Sequence, residues 1–526
     1  MKRILYYACV GCFFLNLQSV SAQKREPVQY DKLYKTAVFT DTERQAKITR
    51  TFSIVDKIFR DYADSNHLPG VAYGIVVDGK LIHKGNIGYT DIEKKIAVTS
   101  ASMFRIASMS KSFTTLAILK LRDEGKLDLD VPAYIYIPEL KDLKYPTLDA
   151  PHITIRHLMT HGAGFPEDNP WGDRQLADTD KELLALIKNQ LSFSNTPDIT
   201  MEYSNLGFAL QGMIITKVSG MPYQDYIRKN ILQPLGMAKT TYEYADVAAD
   251  KLAHGYRWLN NKWNEEELLH DTKEGSWGAM GSMISSIDEF GNYMGMHLSA
   301  WPPGNAADKG PVKRSSVREM HHPWRWTAFV PNYRFPDGRT CAITAAYGYG
   351  LGWMKDCEGK TYIAHSGGLP GFGSQWRIMP EYGIGIVSFA NRTYSPMGFV
   401  NLKVLDTIIK LAGLKPRELP TSKILEQRKN DLVKILPEWK NAEQSGIFAE
   451  NFFPDNPIDT LKKYAKELFT KAGKIISVSA VKPENQLRGS FIITGEKKDI
   501  EIFFTLTPEN PPLIQEYHIK ELKREK

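Results

Sequence analysis

Cysteine is scarce in this chain, with four residues among 526. Cys9 and Cys12 lie in an apolar segment near the N-terminus, so only Cys341 and Cys357 remain beyond it. Two cysteines without clustered histidine partners argue against a structural zinc site. Their spacing leaves open whether they form a disulfide.

A strong charge of either sign is also absent. The formal net charge is +7, from 67 basic and 60 acidic residues, and no stripe of lysine and arginine stands out. This balance gives no reason to expect a nucleic-acid partner. Internal repeats and low-complexity tracts are lacking, and the 42% hydrophobic content is ordinary for a globular protein. The length is sufficient for two or three domains.

The N-terminus has the one notable apolar run. A short basic start precedes the apolar residues 4–17, and the small residues of Val20-Ser21-Ala22 follow. This order predicts a secretory signal peptide over 1–22, cleaved after Ala22. The apolar run is shorter than the roughly 20 residues of a membrane-spanning helix, so we expect no stable span after cleavage. The prediction is therefore a bacterial protein exported to a periplasm or secreted.

Strand patterns at the two ends of one long segment organise the main domain. Residues 69–91 fit a hairpin around Asp78-Gly79, and strand character returns over 362–391. Between them lie short helical patterns and a long excursion at 298–341. This order predicts one sheet built from distant parts of the chain, with a helical insert. We place this domain at 52–413, after a polar lead-in at 23–51.

The C-terminal part is predicted to be a small α+β accessory domain at 424–526. The preceding stretch 414–423, LKPRELPTSK, is typical of a linker because of its prolines and charges. Helical patterns come first and strand patterns follow, at 424–445 and 457–473 for the helices and at 474–481, 487–496, 500–508 and 514–522 for the strands.

Ser108 and Lys111, in FRIASMSKSF (104–113), open an apolar helical pattern. On a helix that begins at or just before Ser108, the two side chains lie one turn apart on one face, so the amine reaches the hydroxyl. The helix N-terminus also favours a developing oxyanion. Taken alone, the motif fits an ordinary N-cap serine and a solvated lysine better.

Tyr203 and Asn205, in MEYSNLGF (201–208), precede a second apolar helix. A phenol near an ammonium is stabilised as phenolate, so Tyr203 could take the serine proton and return one to a leaving group. The Asn205 amide could bind both Lys111 and a substrate carbonyl. The alternative is that Asn205 is a helix cap.

His365-Ser366-Gly367-Gly368, within AHSGGLPGFGS (364–374), has the character of an edge strand. Its glycines would let a substrate backbone approach closely, and a backbone N–H could serve an oxyanion. The alternative is a glycine-rich turn with a buried histidine, which explains the later GGLPGFG but not the His-Ser-Gly before it.

The three segments in this order resemble the serine β-lactamase and penicillin-binding-protein superfamily, whose pattern is S-x-x-K, then Y-x-N or its equivalent, then a strand triplet. The Y-S-N form resembles the branch of class C β-lactamases, D-alanyl-D-alanine carboxypeptidases, D-aminopeptidases and family VIII esterases. Matching segments run from about 52 to 413, among them ITIRHLMTHGAGF (153–165) and ILQPLGMAKT (231–240). The resemblance implies an α+β fold, with an antiparallel sheet flanked by helices and an all-helical insert. The C-terminal domain resembles, by pattern only, small cystatin-like or nuclear-transport-factor-2-like modules.

The resemblance also implies a role for each residue. Ser108 would attack a carbonyl to form an acyl-enzyme, with Lys111 and Tyr203 managing its proton. Asn205 would orient Lys111 and the substrate amide, and the N–H groups of Ser108 and Gly368 would form the oxyanion hole. Water would release the product, and neither a metal nor an organic cofactor is needed.

His365 departs from the class C pattern, in which a lysine begins the triplet and helps bind the substrate carboxylate. A histidine is only partly charged near neutral pH, so its hold on a carboxylate would be weaker and pH-dependent. We therefore expect weak β-lactamase activity or none, and a small-molecule or peptide substrate, such as a D-residue peptide of peptidoglycan origin, or an ester. The rival hypothesis is a catalytically silent binding or sensor protein on the same fold.

Overall fold

The structure is a computed structural model that describes residues 34–266 and 275–523. The predicted signal peptide lies outside the described residues. The chain divides into two compact units, one of them Thr36–Glu418 and the other containing the residues from Leu419 onward. Among the described residues, no helix combines the length and apolar character needed to cross a membrane.

The larger unit contains eleven α-helices within the described ranges. They are α1 (Arg44–Thr49), α2 (Phe52–Ser65), α3 (Ser110–Asp123), α4 (Ile155–Met159), α5 (Asp180–Lys188), α6 (Asn205–Ser219), α7 (Tyr223–Ile227), α8 (Gly278–Gly281), α9 (Ile287–Ser299), α10 (Arg314–Met320) and α11 (Met397–Leu411).

Thirteen strands accompany them over the same residues. They are β1 (Gly70–Val77), β2 (Lys80–Asp91), β3 (Ile96–Ala97), β4 (Phe104–Arg105), β5 (Tyr256–Leu259), β6 (Lys262–Glu265), β7 (Ile284–Ser285), β8 (Arg325–Arg334), β9 (Thr340–Tyr347), β10 (Gly352–Asp356), β11 (Thr361–Leu369), β12 (Phe372–Met379) and β13 (Ile384–Ala390).

Nine of these strands form one antiparallel sheet in the order β3-β2-β1-β13-β12-β11-β10-β9-β8. The N-terminal strand β1 pairs with the C-terminal strand β13 in a register that runs from Val71 opposite Ala390 to Val77 opposite Ile384. Helices α3 to α10 lie in the chain between the two parts of the sheet. The predicted α+β fold, with a sheet formed from distant segments, is confirmed.

Helices cover both faces of this sheet. Successive residues of β1 point to opposite faces, so Ile75 belongs to the core shared with α2 and α11, and Val76 to the core shared with α3, α6 and α9. All eight residues of β1 are buried, which explains its continuous apolar run. The sheet is thus packed against helices on both faces, and α3 lies on one of them.

The larger unit begins at Thr36, earlier than the boundary at 52 that the polar sequence suggested. Helix α1 has few apolar residues, but Ile48 is fully buried in the core on the α2 side. Arg44 is also buried, and its guanidinium donates to Asp78 Oδ2 at 2.6 Å. Through Ile48 and Arg44, α1 is part of the larger unit, although its polar composition predicted a lead-in.

Over residues 419–523, the C-terminal unit has three helices followed by a five-stranded antiparallel sheet. The elements are α12 (Lys423–Ile435), α13 (Phe452–Asp455), α14 (Ile458–Ala472), β14 (Ile475–Val478), β15 (Lys482–Asn485), β16 (Arg488–Gly495), β17 (Asp499–Leu506) and β18 (Ile514–Leu522). The strand order is β14-β16-β17-β18, with β15 also paired to β16. Helix α12 ends well before residue 445 because Pro437 follows closely and cannot continue a helix.

Candidate active site

Ser108 lies in a 3₁₀ turn, Ala107–Met109, immediately before α3. The turn is anchored where the Ile106 N–H donates to the Met283 carbonyl at 2.9 Å. Ala107 has φ of 50°, a left-handed conformation that is strained for a residue other than glycine. A 3₁₀ turn has three residues per turn, so Lys111 lies directly above Ser108. The cap residues of the 3₁₀ turn and of α3 are Ile106 and Met109, so Ser108 is the N-cap of neither element.

Lys111 is fully buried and its amine has three oxygen partners. Nζ lies 2.9 Å from Ser108 Oγ, 2.7 Å from Asn205 Oδ1 and 2.9 Å from the Met280 carbonyl oxygen. The amide and carbonyl oxygens can only accept. A neutral amine therefore donates its two hydrogens to them and keeps a lone pair for the Ser108 hydroxyl proton. The alternative of a solvated lysine is wrong, because no part of the side chain reaches solvent.

Burial lowers the pKa of Lys111 from 10.5 to about 7, although the carboxylates of Asp173 and Asp168 oppose this shift. No described residue forms an ion pair with Lys111, so no direct partner offsets the loss of hydration. A substantial fraction of the amine is consequently neutral near neutral pH, where it can accept a proton.

Asn205 is the first residue of α6 and is fully buried. Ser204 is the cap residue, since its hydroxyl accepts the Gly207 N–H, and the Asp168 carboxylate accepts the Asn205 and Leu206 N–H groups at 2.7 and 2.8 Å. The Asn205 side chain accepts from Lys111 and donates through Nδ2 to Asn169 Oδ1 at 2.5 Å. Asn205 therefore fixes the position of the Lys111 amine beside Ser108.

Tyr203 precedes the cap, and its ring lies 4.9 Å from Lys111 Nζ. Burial raises the pKa of its phenol well above the ordinary value. A hydrogen bond with Ser108 lowers this pKa, but the nearby carboxylates of Asp173 and Asp168 raise it further. The sequence-based expectation of a phenolate is therefore wrong for the resting site. The phenol keeps its proton and is a hydrogen-bond donor there.

His161 completes this aromatic cluster, which sequence reasoning missed. Its ring centroid lies 4.3 Å from that of Tyr203 and 4.6 Å from that of Tyr347. Nδ1 accepts the Ser204 N–H at 3.0 Å, and burial lowers the pKa of the ring well below its ordinary value. His161 lies in ITIRHLMTHGAGF, but the segment carries no spacing that marks it as part of the site.

Strand β11 carries the predicted triplet and is internal to the sheet rather than an edge strand. Strand β10 pairs only with residues 361–364 of β11, from Lys355 opposite Thr361 to Gly352 opposite Ala364. Among the described strands, residues 365–369 pair only with β12, so this part of an internal strand has a free edge there. Ser366 is exposed on that edge.

The two glycines of β11 make room for protein rather than for a substrate. A Cβ on Gly367 would lie 2.2 Å from the Ile106 carbonyl oxygen and 2.9 Å from Ala107 Cβ. A Cβ on Gly368 would lie 2.9 Å from Tyr394 Cδ1. Gly367 thus allows β11 to pack directly against the turn that holds Ser108, which corrects the reason given for the glycines from the sequence.

His365 is buried and uncharged. Its Nδ1 faces the Ser366 carbonyl oxygen at 2.6 Å, so Nδ1 carries the proton, and Nε2 lies 2.9 Å from the Tyr347 hydroxyl, which donates to it. Burial, reinforced by the charge of Lys111, lowers the pKa of His365 to about 3. The partial positive charge expected from the sequence is therefore absent at neutral pH.

These groups border a cleft of about 680 Å³, a size typical of small-molecule sites. Six of the predicted residues line it, namely Ser108, Tyr203, His365, Ser366, Gly367 and Gly368, whereas Lys111 and Asn205 lie behind its wall. The sequence did not reveal the lining residues Asn169, Asp173, Tyr347, Arg377 and Tyr394. Within 34–266 and 275–523, no cluster of three or more histidine, cysteine or acidic side chains is arranged to hold a metal.

The family model described as Beta-lactamase matches residues 55–407. This chain therefore belongs to the beta-lactamase family, as its motifs predicted, and has the family's serine-hydrolase fold. Beta-lactamase-like protein 2 of Dictyostelium discoideum is 30% identical over 543 residues, which cover 96% of this chain and 90% of that protein. Protein flp of Staphylococcus aureus (strain N315) is 28% identical over 344 residues, or 64% of this chain, and the match spans only 62% of the length of that relative.

Solved structures show the same fold. The octameric penicillin-binding protein homologue from Pyrococcus abyssi superposes with a TM-score of 0.57 at 21% identity, covering 90% of this chain and 96% of the other. A class C beta-lactamase superposes with a TM-score of 0.53 at 22% identity, covering 70% of this chain and 98% of the other. At these identities the likeness concerns the fold alone.

Proposed function

We propose that this protein is an exported serine hydrolase that forms an acyl-enzyme at Ser108. Its substrate would be a peptide with a D-residue or of cell-wall origin, or an ester. The observation that carries the proposal is the buried pair of Ser108 and Lys111, in which the amine has two obligate acceptors and a third position for the serine hydroxyl. Such an arrangement activates a nucleophile and has no evident structural purpose.

In the acylation step, neutral Lys111 Nζ takes the proton of Ser108 while Oγ forms a bond to the substrate carbonyl carbon. The carbonyl π electrons move to its oxygen and give a tetrahedral oxyanion, which the backbone N–H groups of Ser108 and Gly368 would stabilise. When the oxyanion collapses, the bond to the leaving nitrogen or oxygen breaks. Tyr203, protonated at rest, donates its proton to the leaving group and regains one from Lys111.

In the deacylation step, water replaces the leaving group. Lys111 or Tyr203 removes one water proton as the water oxygen attacks the acyl carbon, and the departing Ser108 Oγ takes a proton back. The net reaction adds one water across the scissile bond and restores the resting site. No redox partner or external proton donor is required.

The substrate backbone would lie along the free edge of β11 beyond Ala364, where the strand has no partner on the β10 side. Neutral His365 supports the expectation of weak β-lactamase activity, because it cannot supply the cation with which the class C triplet holds a carboxylate. Export is supported by the sequence of 1–22 and by the disulfide between Cys341 and Cys357, a bond that persists in oxidising compartments.

Intact-mass spectrometry of the mature protein tests the proposal. The wild type is incubated separately with a penicillin, a p-nitrophenyl ester and a D-alanyl-D-alanine peptide, beside Ser108→Ala and the control Ser65→Ala at an exposed serine of α2. We expect an acyl adduct or turnover with at least one compound in wild type and Ser65→Ala, and neither in Ser108→Ala. Identical behaviour of wild type and Ser108→Ala with all three would favour the silent binding protein.

A further inference from the structure

A second cavity lies beside the catalytic cleft, in the helical part of the larger unit. It has a volume of about 320 Å³, within the range of small-molecule sites, and is bordered by α5, the start of α6 and the loop 165–171. No described residue lines both the cavity and the cleft. The loop separates the two spaces, because Asn169 lines the cleft whereas Asp168 and Trp171 line the cavity. We name this space the α5–α6 cavity.

The wall of the α5–α6 cavity is mainly apolar. Phe165 and Leu206 are buried in the main core, and Leu186 and Leu191 pack against that core. Trp171 also borders the cavity, and 50% of its surface is exposed. A ligand with an aromatic or alkyl body would remove part of this apolar surface from water.

The charged groups that line the cavity are Glu167 and Asp168. No lysine, arginine or histidine of the described ranges lines it. Glu167 Oε1 accepts the Asn169 N–H at 3.0 Å, and neither carboxylate forms an ion pair with a described residue. An ionised carboxylate has about four acceptor positions, so both groups can accept further hydrogen bonds from a ligand. The cavity therefore carries negative charge that no described cation offsets by direct contact.

The groups that would meet a ligand are held in place. Asp168 accepts the Asn205 and Leu206 N–H groups at 2.7 and 2.8 Å, which fixes its carboxylate at the start of α6. The Trp171 ring meets the buried Trp277 ring edge to face, with centroids 5.3 Å apart. Because these groups are already positioned, binding requires little ordering of the protein and costs less entropy.

The apolar wall and the charge together define the chemistry of the ligand. An ammonium group is attracted by carboxylates and by the face of an indole ring, whereas a neutral group gains little from either and an anion is repelled. We propose that the α5–α6 cavity binds a small apolar molecule with one ammonium group, of the arylalkylamine class. The ammonium group lies at Glu167 and Asp168, and the apolar body lies against Trp171 and the leucines. This site is distinct from the Ser108 cleft, and the inference does not rest on the proposed function.

Calorimetric titration of the wild-type protein tests the chemistry of the ligand. The probes are 2-phenylethylamine, 2-phenylethanol and 3-phenylpropionate, which share a phenylethyl body and carry an ammonium, a hydroxyl or a carboxylate group. Ethylamine, which has the ammonium group without the ring, is the fourth probe. We expect 2-phenylethylamine to bind at least about tenfold more tightly than each of the other three.

Variants place the bound amine in the cavity. Leu191→Trp fills the space and should weaken binding of 2-phenylethylamine at least about tenfold. Glu167→Gln, at an exposed position where folding should be unaffected, should weaken binding of the amine but not of the alcohol. Leu148→Trp and Glu93→Gln are the matched controls at exposed residues outside the cavity. Asp173→Asn removes a carboxylate of the catalytic cleft and should leave binding of the amine unchanged.

Equal affinities for the amine and the alcohol, or no measurable binding of the amine, would overturn the inference. Binding of the amine that survives both Leu191→Trp and Glu167→Gln would overturn it as well. Loss of binding in Asp173→Asn would place the amine in the catalytic cleft and have the same consequence. Acylation of Ser108 is a separate measurement, so the proposed function can stand or fail independently of this site.

Discussion

Lys111 Nζ lies 2.9 Å from Ser108 Oγ, and the lysine side chain has no contact with solvent. Because no described carboxylate pairs with it directly, burial lowers the pKa of the amine to about 7. The lysine is therefore a base at the pH where its neighbour must lose a proton.

The rate of Ser108 acylation should depend on the proton of Lys111. We expect kcat/KM for a p-nitrophenyl ester to fall as pH falls through about 7, because the ammonium cannot accept the serine proton. Lys111→Arg should be inactive at every pH, since a guanidinium stays charged. Stopped-flow pH profiles measure this, with Lys181→Arg at an exposed lysine as the control. A flat profile through this range would contradict the role of Lys111 as base.

The same burial should make stability depend on pH. The folded pKa of Lys111 is about 7 and the ordinary value is 10.5, so the unfolded chain binds more protons between these values and wild-type stability rises with pH across that window. Lys111→Met removes this dependence. The difference in stability, taken as the free energy of unfolding of Lys111→Met minus that of wild type, should therefore depend on pH. We expect this difference to be more positive at about pH 6 than at about pH 9 by about 2 kcal/mol.

Urea unfolding at the two pH values measures the difference, and Lys181→Met is the matched control at an exposed position. The oxygens of Asn205 and Met280 lose a donor in Lys111→Met, but that loss is the same at both pH values. An equal effect at both would show that the lysine is not neutral in the folded protein.

Tyr203 should matter most for poor leaving groups. Its phenol keeps a proton because burial raises the pKa, so it can protonate a departing amine, whereas p-nitrophenolate leaves without help. Tyr203→Phe should lower kcat/KM about 100-fold for an amide and less than about tenfold for a p-nitrophenyl ester. Tyr242→Phe is the control, because that buried phenol has no hydrogen-bond partner in the part of the chain that the structure describes. Equal losses on both substrates would indicate a structural role.

Local patterns were sufficient to predict five strands of the main sheet, namely β1, β2, β11, β12 and β13, and to single out the motif residues. The apolar run of β1 and the hairpin at Asp78-Gly79 are short-range signals, and Ser108 and Lys111 are three positions apart on one turn. Strand β8 gave no such signal. It is an edge strand with mostly half-exposed residues, a proline at Pro331 and an irregular register from Val330 to Tyr333, so its alternation is lost within the excursion at 298–341.

The charges of the site could not be predicted in the same way. Tyr203 and His365 have shifted pKa values because other segments bury them, and burial is a property of the folded chain. Asp173, Arg377 and Tyr394 come from a loop, a strand and a turn that have no shared spacing in the sequence. Only the pairing of β11 with β12 brings Arg377 to the cleft.

The disulfide between Cys341 and Cys357 should contribute stability without affecting chemistry. Tyr347 and Gly352 line the cleft at one end of the β9–β10 pair. The disulfide joins the two strands at the other end of the pair, away from the cleft. Closing a loop of this size should stabilise the protein by about 3 kcal/mol. Urea unfolding of oxidised protein, reduced protein and Cys341→Ser/Cys357→Ser measures this, and kcat of the folded variant should be unchanged. A large loss of kcat would show that the link reaches the site.

Gly367 should be required for the position of β11 against the Ser108 turn. In Gly367→Ala the new Cβ would lie 2.2 Å from the Ile106 carbonyl oxygen, and because backbone cannot yield as a side chain does, the strand must move away. The oxyanion position between Ser108 and Gly368 then widens, and kcat/KM should fall by about 100-fold. Gly310→Ala is the control, since its Cβ would meet no atom closer than 3.6 Å. Circular dichroism must show that the variant is folded. Full activity in folded Gly367→Ala would mean that the contact between β11 and the turn does not set the geometry of the reaction.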